Sequence, residues 1–126
     1  MNINQLRSNL KMDNFYFKNY SFCRDNKIKD GEYTIDIKKK ISKQQEHVFE
    51  VEIIISVNKE DLKMDLVAIA TFTFDSNDYS NEESIIETNT VAIMFPFIRS
   101  QVTLMTSQPG MSPIVLPPIN TSKFIQ

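Results

Sequence analysis

The chain has 126 residues, of which 41% are hydrophobic and 24% charged, and its formal net charge is −2. This length suits one domain, and the composition is too apolar and too weakly charged for a disordered chain. The mild acidity argues against a nucleic-acid-binding protein, which usually has a basic surface. No apolar run reaches the roughly 18 to 20 residues of a membrane span, and the N-terminal stretch lacks the apolar core of a signal peptide. We therefore expect a cytoplasmic protein without membrane insertion.

Strand patterns dominate residues 12–75. Residues 15–24 are rich in aromatic side chains, apolar and polar residues alternate in 33–37 and 48–57, and one face of 64–74 is entirely apolar. These patterns are typical of β-strands with a buried face. The lysine-rich stretch 38–47 is interpreted as a hairpin connection, and its lysines as a solvated strand end in preference to a phosphate-binding patch.

The last third of the chain has a different composition. All five prolines lie in residues 88–126, where only Arg99 and Lys123 are charged. We predict that a helix opens at residues 94–99, with Pro96 in its first turn, where the missing N–H costs nothing. The helix should end near Gln108 and be followed by an extended, proline-rich segment. A short helix capped by Asn81 or Ser84 is expected before it, so that helix and extended chain together occupy 84–126.

The residues needed for catalysis are scarce. The chain has one cysteine, Cys23, one histidine, His47, and two glycines. A Cys–His dyad has no supporting signature, a zinc site would need more ligands, and a phosphate-binding loop would need more glycine. We predict a protein that is not an enzyme and that has no metal site and no cofactor.

The predicted elements carry more apolar surface than one small sheet should be able to cover. The 64–74 strand is partly apolar on both faces, and the helix is apolar over a wide arc. Such a chain either forms oligomers or binds apolar ligands. An ordinary α+β core with a thick helix layer is the alternative.

Three segments resemble the SecB family of protein-export chaperones. The stretch 94–120, MFPFIRSQVTLMTSQPGMSPIVLPPIN, is similar to the family's helix opening and to the Pro-hydrophobic-Asn turn that follows the helix. Residues 16–22 resemble its first strand and 32–37 its second. The resemblance implies one SecB-like α+β domain over 1–126, with four antiparallel strands followed by a long C-terminal helix. We expect the family's second helix to be missing here.

Site residues follow from the resemblance by position. A groove that binds client polypeptides is implied at Tyr33, Ile35, Ile37, Phe97, Met111 and Ile114. An interface between subunits is implied at Met64, Leu66, Ala68, Ala70, Ile98, Val102 and Met105. The apolar pattern by itself also indicates that the first four of these residues need a partner surface. We therefore predict a homotetramer or at least a dimer.

The sequence departs from export members of the family at the positions that contact the SecA motor. Asn19, Cys23 and Val67 stand where those members carry acidic residues. SecA is therefore a doubtful partner, and a chaperone dedicated to the antitoxin of a toxin–antitoxin pair is an equally suitable role.

The resulting hypothesis is an ATP-independent holdase for extended apolar segments of unfolded or unassembled polypeptides. A structural or scaffolding subunit that has kept the fold and lost client binding is the alternative. A carrier of a small apolar molecule in a closed pocket is a third possibility.

Overall fold

A computed structural model describes residues 9–25 and 31–118 as one antiparallel sheet and one helix. The strands are β1 (Leu10–Arg24), β2 (Thr34–Gln45), β3 (Val48–Lys59) and β4 (Leu62–Phe74), and the helix is α1 (Glu82–Thr106). The strand order is β1-β4-β3-β2, so β1 and β2 form the two edges of this sheet. The predicted α+β fold, four strands followed by a C-terminal helix, is confirmed.

The predicted connection at 38–47 is mostly strand. β2 continues through the lysines, and only Glu46 and His47 form the turn to β3. His47 has φ 61°, in the left-handed region, which allows a two-residue turn to reverse the chain. The prediction was wrong here because polar residues on one face of a strand resemble a loop when the sequence is considered alone.

One face of the sheet, called here the inner face, forms the core with α1. Residues at alternate positions of β3 and β4 pair directly across the strands, for example Val51 with Ala70 and Ile55 with Leu66. Because side chains alternate between faces, this register places the apolar set on one side. Its most buried members are Val51, Ile53, Ile55, Val57, Met64, Leu66, Ala68, Ala70, Phe72 and Phe74.

Within residues 9–25 and 31–118 no helix lies over the outer face of the sheet, and yet Ile69 is only 5% exposed. Its direct strand partners on that face are Tyr16 and Glu52, whose side chains flank it. The apolar pattern on both faces of β4 therefore does not require a second covering layer at this position.

Helix α1 begins twelve residues before the predicted opening. Asn81 occupies the position before the first turn, and Glu82 and Glu83 lie in that turn, where carboxylates interact favourably with the helix dipole. The buried side chains follow an i, i+4 stripe that faces the sheet: Ile86, Thr90, Met94, Ile98, Val102 and Thr106. The sequence predicted a short helix and then a longer helix opening at residues 94–99. A single helix of 25 residues takes the place of both.

Pro96 lies inside this helix and not in its first turn, so the predicted role as a helix starter was wrong. Proline removes the hydrogen bond to the carbonyl four residues earlier, that of Ala92. Both Ala92 and Pro96 are exposed, so the freed carbonyl is on the solvent side of the helix. Packing of the buried stripe on both sides of Pro96 outweighs the local cost.

After α1 the chain reverses and runs back along the helix. Gly110 makes the turn with φ 75°, a conformation that favours glycine. The Thr103 hydroxyl then donates to the carbonyl of Ile114, and Nε of Arg99 donates to the carbonyl of Leu116, both at 2.9 Å. Leu116 is fully buried. Residues 111–118 thus form a strip antiparallel to α1.

No helix within the described residues is long and apolar enough to span a membrane.

Candidate functional site

The space between β2 and α1, called here the β2 cleft, is the best candidate for a binding site. β2 is an edge strand whose inner face carries Ile35, Ile37, Lys39 and Ile41 in the register that points toward the helix side. The isoleucines are half-buried and pack against the core. A sheet edge has backbone groups free to pair with an extended chain, so apolar side chains beside such an edge suit a peptide ligand.

An ion pair crosses the β2 cleft near its middle. The Lys39 ammonium lies 2.9 Å from the Glu87 carboxylate and donates to the Glu87 backbone carbonyl at 3.0 Å. The Lys39 side chain is 9% exposed and that of Glu87 is 32% exposed. Of the three consecutive lysines, Lys38 and Lys40 are exposed on the outer face, whereas Lys39 is directed inward and ties the edge strand to the helix.

A cavity of about 450 Å³ lies at the Tyr33 end of the cleft. It is defined by Tyr33 before β2, Leu62 at the start of β4, and Met111 and Ile114 in the strip. Tyr33 is 37% exposed, and Met111 is half-buried. An aromatic ring and a flexible thioether at an open surface can adapt to apolar side chains of different shapes. This space is called the Tyr33 cavity.

A second cavity, of about 350 Å³, lies at the other end of β2. Ile41, Phe49 and Ile86 provide its apolar part, while Glu83 and Glu87 line it from the helix. This space is called the Ile41 cavity. Its size is at the small end of the ~300–1,000 Å³ range of ligand pockets. It therefore suits one large side chain and not a folded partner.

A polar cluster holds the β2–β3 turn against the start of α1 beside the Ile41 cavity. Nδ1 of His47 hydrogen-bonds to the Glu82 carboxylate, and Glu46 lies 3.5 Å from Nε2. The His47 ring also stacks on Tyr79, with ring centroids 3.7 Å apart. These contacts account for the position of His47 in the β2–β3 turn. Nothing places it near Cys23, which is exposed on β1.

The loop before α1 contains a carboxylate with a shifted pKa. The backbone N–H of Ser80 donates to Oδ1 of Asp78 at 2.9 Å. This bond, together with one from the Ser80 side chain, lowers the pKa of Asp78 below its ordinary value. Asp78 is fully exposed, and its hydrogen bonds account for the shift without a ligand. Within residues 9–25 and 31–118, no three His, Cys, Asp or Glu side chains are grouped to hold a metal ion.

The structure brings together some of the predicted groove residues and separates others. Tyr33, Met111 and Ile114 line one cavity, although Ile114 is already 8% exposed and contributes more to the core than to an open surface. Ile35 and Ile37 follow along the same edge. Phe97 does not belong to this set, because its ring packs 5.1 Å from that of Phe15 on β1, the opposite edge of the sheet.

The physical reason given for the predicted subunit interface does not hold. Met64 and Leu66 are each 1% exposed, and Ala68, Ala70, Ile98 and Val102 are fully buried, within a single chain. Met105 is half-buried beside them. These side chains need no partner surface, because they already pack together in the core that the sheet forms with α1 and the strip. The large apolar side chains that stay exposed are different ones: Tyr16, Tyr20, Tyr33, Tyr79, Phe97, Leu104 and Val115.

Sequence reasoning missed the Ile41 cavity and Lys39. Both could have been found from the period of two along β2, since Ile35, Ile37, Lys39 and Ile41 share one face. The contribution of Ile86 and Glu87 had no such signal, because it depends on α1 starting at Glu82.

Comparison with protein families agrees with this geometry. The family model for the preprotein translocase subunit SecB matches residues 4–126, nearly the whole chain. The chain belongs to the SecB family. This SecB family and its fold are non-enzymatic, which confirms the prediction that the protein is not an enzyme. Family membership also supports a chaperone function.

Solved structures show the same fold. The SecB-like chaperone Rv1957 of Mycobacterium tuberculosis, solved with a peptide of the HigA1 antitoxin, has a TM-score of 0.72 and 13% identity, over 93% of this chain and 92% of that one. A protein of unknown function from Streptococcus agalactiae has a TM-score of 0.53 and 10% identity, over 86% and 97% of the two chains.

A short sequence match extends to an archaeal protein. An uncharacterized protein of Methanocaldococcus jannaschii is 42% identical over 36 residues, which are 29% of this chain and 23% of that protein. The matched region thus spans about a quarter of that relative's length. The predicted absence of a second helix concerns residues 119–126, which lie outside the described residues.

Proposed function

We propose that this protein is a cytoplasmic, ATP-independent holdase that binds extended apolar segments of non-native polypeptides in the β2 cleft. The observation that carries the proposal is the convergence of Tyr33 and Met111 on one cavity beside an edge strand. An extended client can pair its backbone with β2 while placing alternate side chains along the cleft. This binding mode favours client polypeptides that are apolar and unfolded, and it does not depend on a particular client sequence.

The nature of the client is supported by a structural neighbour. The SecB-like chaperone of M. tuberculosis is bound to a peptide from an antitoxin. By analogy of fold, we propose an antitoxin or another unassembled protein as the client here, in preference to export through SecA. The positions expected to contact SecA are Asn19, Cys23 and Val67, and none of these side chains carries the required negative charge.

We also propose that the protein forms a homodimer or homotetramer through surfaces other than the buried core. α1 has an exposed, uncharged side that includes Phe97, 49% exposed, and Leu104, 68% exposed. β1 is an edge strand on which Tyr20 is 56% exposed. Exposed apolar groups of this size on a small protein are typical of interaction surfaces.

Suppression of aggregation tests the proposed function. The purified protein, mixed at stoichiometric amounts with a chemically unfolded model protein, should suppress the light scattering that follows dilution from denaturant. Tyr33→Ser combined with Met111→Ser should reduce that suppression several-fold. Tyr16→Ser is the matched control, because Tyr16 is 45% exposed and lies on the outer face.

Ile35 and Ile37 are unsuitable for this test, because they pack against the core and a carboxylate there would lower the stability of the fold as well as change the cleft. Thermal melting of each variant separates loss of binding from loss of folding. If the wild-type protein forms its oligomer but does not suppress aggregation of the model protein even when it is in excess, the scaffolding subunit is the better explanation. The cavities are open at the surface, which fits a cleft for polypeptide better than a closed pocket for a small apolar molecule.

A further inference from the structure

Both lysines on the inner face of β2 have a carboxylate partner. The Lys39 ammonium lies 2.9 Å from the Glu87 carboxylate, and the Lys43 ammonium lies 3.6 Å from the Glu46 carboxylate. The isoleucines of the β2 cleft occupy further positions in the same row of side chains. The inner side of this edge strand is therefore apolar, and the protein itself offsets its positive charges.

The lysines on the outer face of β2 are different. Lys38 and Lys40 are exposed, and they take part in none of the ion pairs found within residues 9–25 and 31–118. Their neighbours on β3 are Ile54 beside Lys38 and Glu52 beside Lys40. Asp36, also exposed, precedes Lys38 by two positions in this row. The centre of the outer row thus presents two positive charges.

These charges lie next to an open sheet edge. Among the described strands β2 pairs only with β3, so a further strand can add on its other side. Such a strand lies about 4.8 Å from β2 and about 10 Å from β3, and its side chains alternate between the two faces. Because the Debye length is about 8 Å at physiological ionic strength, Lys38 and Lys40 act on it more strongly than Glu52 does.

Nearby carboxylates restrict where an acidic side chain of the added strand fits. Glu83 is exposed and lines the Ile41 cavity on the inner side, and Asp36 is exposed on the outer side toward Tyr33. Both repel a second carboxylate, whereas Lys38 and Lys40 attract one. An extended ligand therefore gains from acidic side chains only on the outer side, in the middle of β2.

We propose that the β2 cleft prefers, among extended apolar clients, segments in which apolar residues alternate with Asp or Glu. The apolar side chains lie along the cleft beside Ile35 and Ile37, and the carboxylates lie opposite Lys38 and Lys40. This rests on the function proposed above and names the kind of client, as a charge pattern and not as a fixed sequence. Each cross-strand pair of opposite charges corresponds to an affinity change of about 1.5- to 5-fold.

Binding of three labelled peptides to the full chain tests this preference. Each peptide has about nine residues, with the same apolar residues at alternate positions, and carries glutamate, glutamine or lysine at two central intervening positions. Fluorescence anisotropy at about 0.05 M salt should give the glutamate peptide a Kd about 2- to 30-fold below that of the glutamine peptide, and the lysine peptide the highest Kd. At about 0.5 M salt this ratio should approach one, because exposed charges are screened.

Two double variants locate the effect. Lys38→Gln combined with Lys40→Gln should bring the Kd of the glutamate peptide to within about twofold of that of the glutamine peptide. Lys18→Gln combined with Lys63→Gln is the matched control, since it removes the same charge from exposed positions on β1 and β4. The control should keep the wild-type ratio. Equal loss of the ratio in both double variants would overturn the proposal, because net charge would then explain the preference.

The remaining outcomes separate the charge preference from the function on which it rests. Equal Kd values for the glutamate and glutamine peptides, with aggregation of the model protein still suppressed, would overturn the preference and leave the holdase intact. Tighter binding of all three peptides by Lys38→Gln with Lys40→Gln would also overturn it, because the lysines would then serve to keep other chains off the edge. Failure of all three peptides to bind would contradict both the preference and client binding in the β2 cleft.

Discussion

Replacement of Lys39 by methionine tests whether the β2 cleft is held by the ion pair that crosses it. Methionine keeps most of the side chain's length and apolar stem but removes the ammonium and its two hydrogen bonds, to the carboxylate and the carbonyl of Glu87. A hydrogen bond to a charged group contributes about 1.5–3 kcal/mol, and loss of one partner of a fully buried pair costs about 3–5 kcal/mol.

The burial of the two partners decides between these values. Lys39 is nearly buried, but Glu87 is 32% exposed, so water can hydrate its carboxylate once the ammonium is gone. We therefore expect Lys39→Met to lower the free energy of unfolding by about 1–3 kcal/mol, below the value for a fully buried pair. For a chain of this length each kcal/mol corresponds to about 3–5 °C in Tm.

Urea denaturation monitored by circular dichroism measures the difference, with Lys40→Met as the matched control. Lys40 carries the same side chain one position along the strand but is exposed on the outer face, so its substitution should change stability by no more than about 0.5 kcal/mol. Adding Glu87→Gln to Lys39→Met should recover part of the loss, because the unpaired carboxylate is then gone. If Lys39→Met and Lys40→Met lower the free energy of unfolding equally, the conclusion that Lys39 points inward and stabilises the cleft is wrong.

Two further predictions concern the helix and the strip. Pro96→Ala should stabilise the protein by about 1–3 kcal/mol, since an interior N–H is restored on the exposed side of α1. If denaturant titration shows no gain in the free energy of unfolding, Pro96 is needed for the packing around it. Leu116→Ala should cost about 2–5 kcal/mol, because Leu116 is fully buried, whereas Val115→Ala at a position 64% exposed should cost at most about 0.5 kcal/mol. Similar melting temperatures for these two alanine variants would show that the strip is not part of the core.

The strands were predictable because their signal is local. In β3 and β4 the apolar side chains recur at every second residue, and the observed register keeps that set on one face. The error at Lys38–His47 came from treating a run of lysines as a unit. The same period of two that identifies β3 would have placed Lys39 inward and its neighbours outward.

The helix start was harder to predict because two local signals conflicted. Glu82 and Glu83 after Asn81 are favourable in a first turn, while Pro96 is unfavourable in a helix interior. The conflict is resolved by the sheet, against which residues on both sides of Pro96 are buried. Local propensity is worth about 3 kcal/mol at a proline, and burial of several large side chains exceeds it.

The amino-acid sequence by itself determined the strand periods, the uncharged C-terminal third and the family, because each is contained in residue order. Tertiary structure decided which apolar residues are still exposed after one chain has folded. Met64 and Leu66, predicted to need a partner, are covered by the chain's own helix and strip, while Tyr33 and Met111 remain open in the β2 cleft. The reason is geometric: exposure depends on which side chains are buried in the core with α1 and the strip, and both of these segments come later in the chain than the sheet.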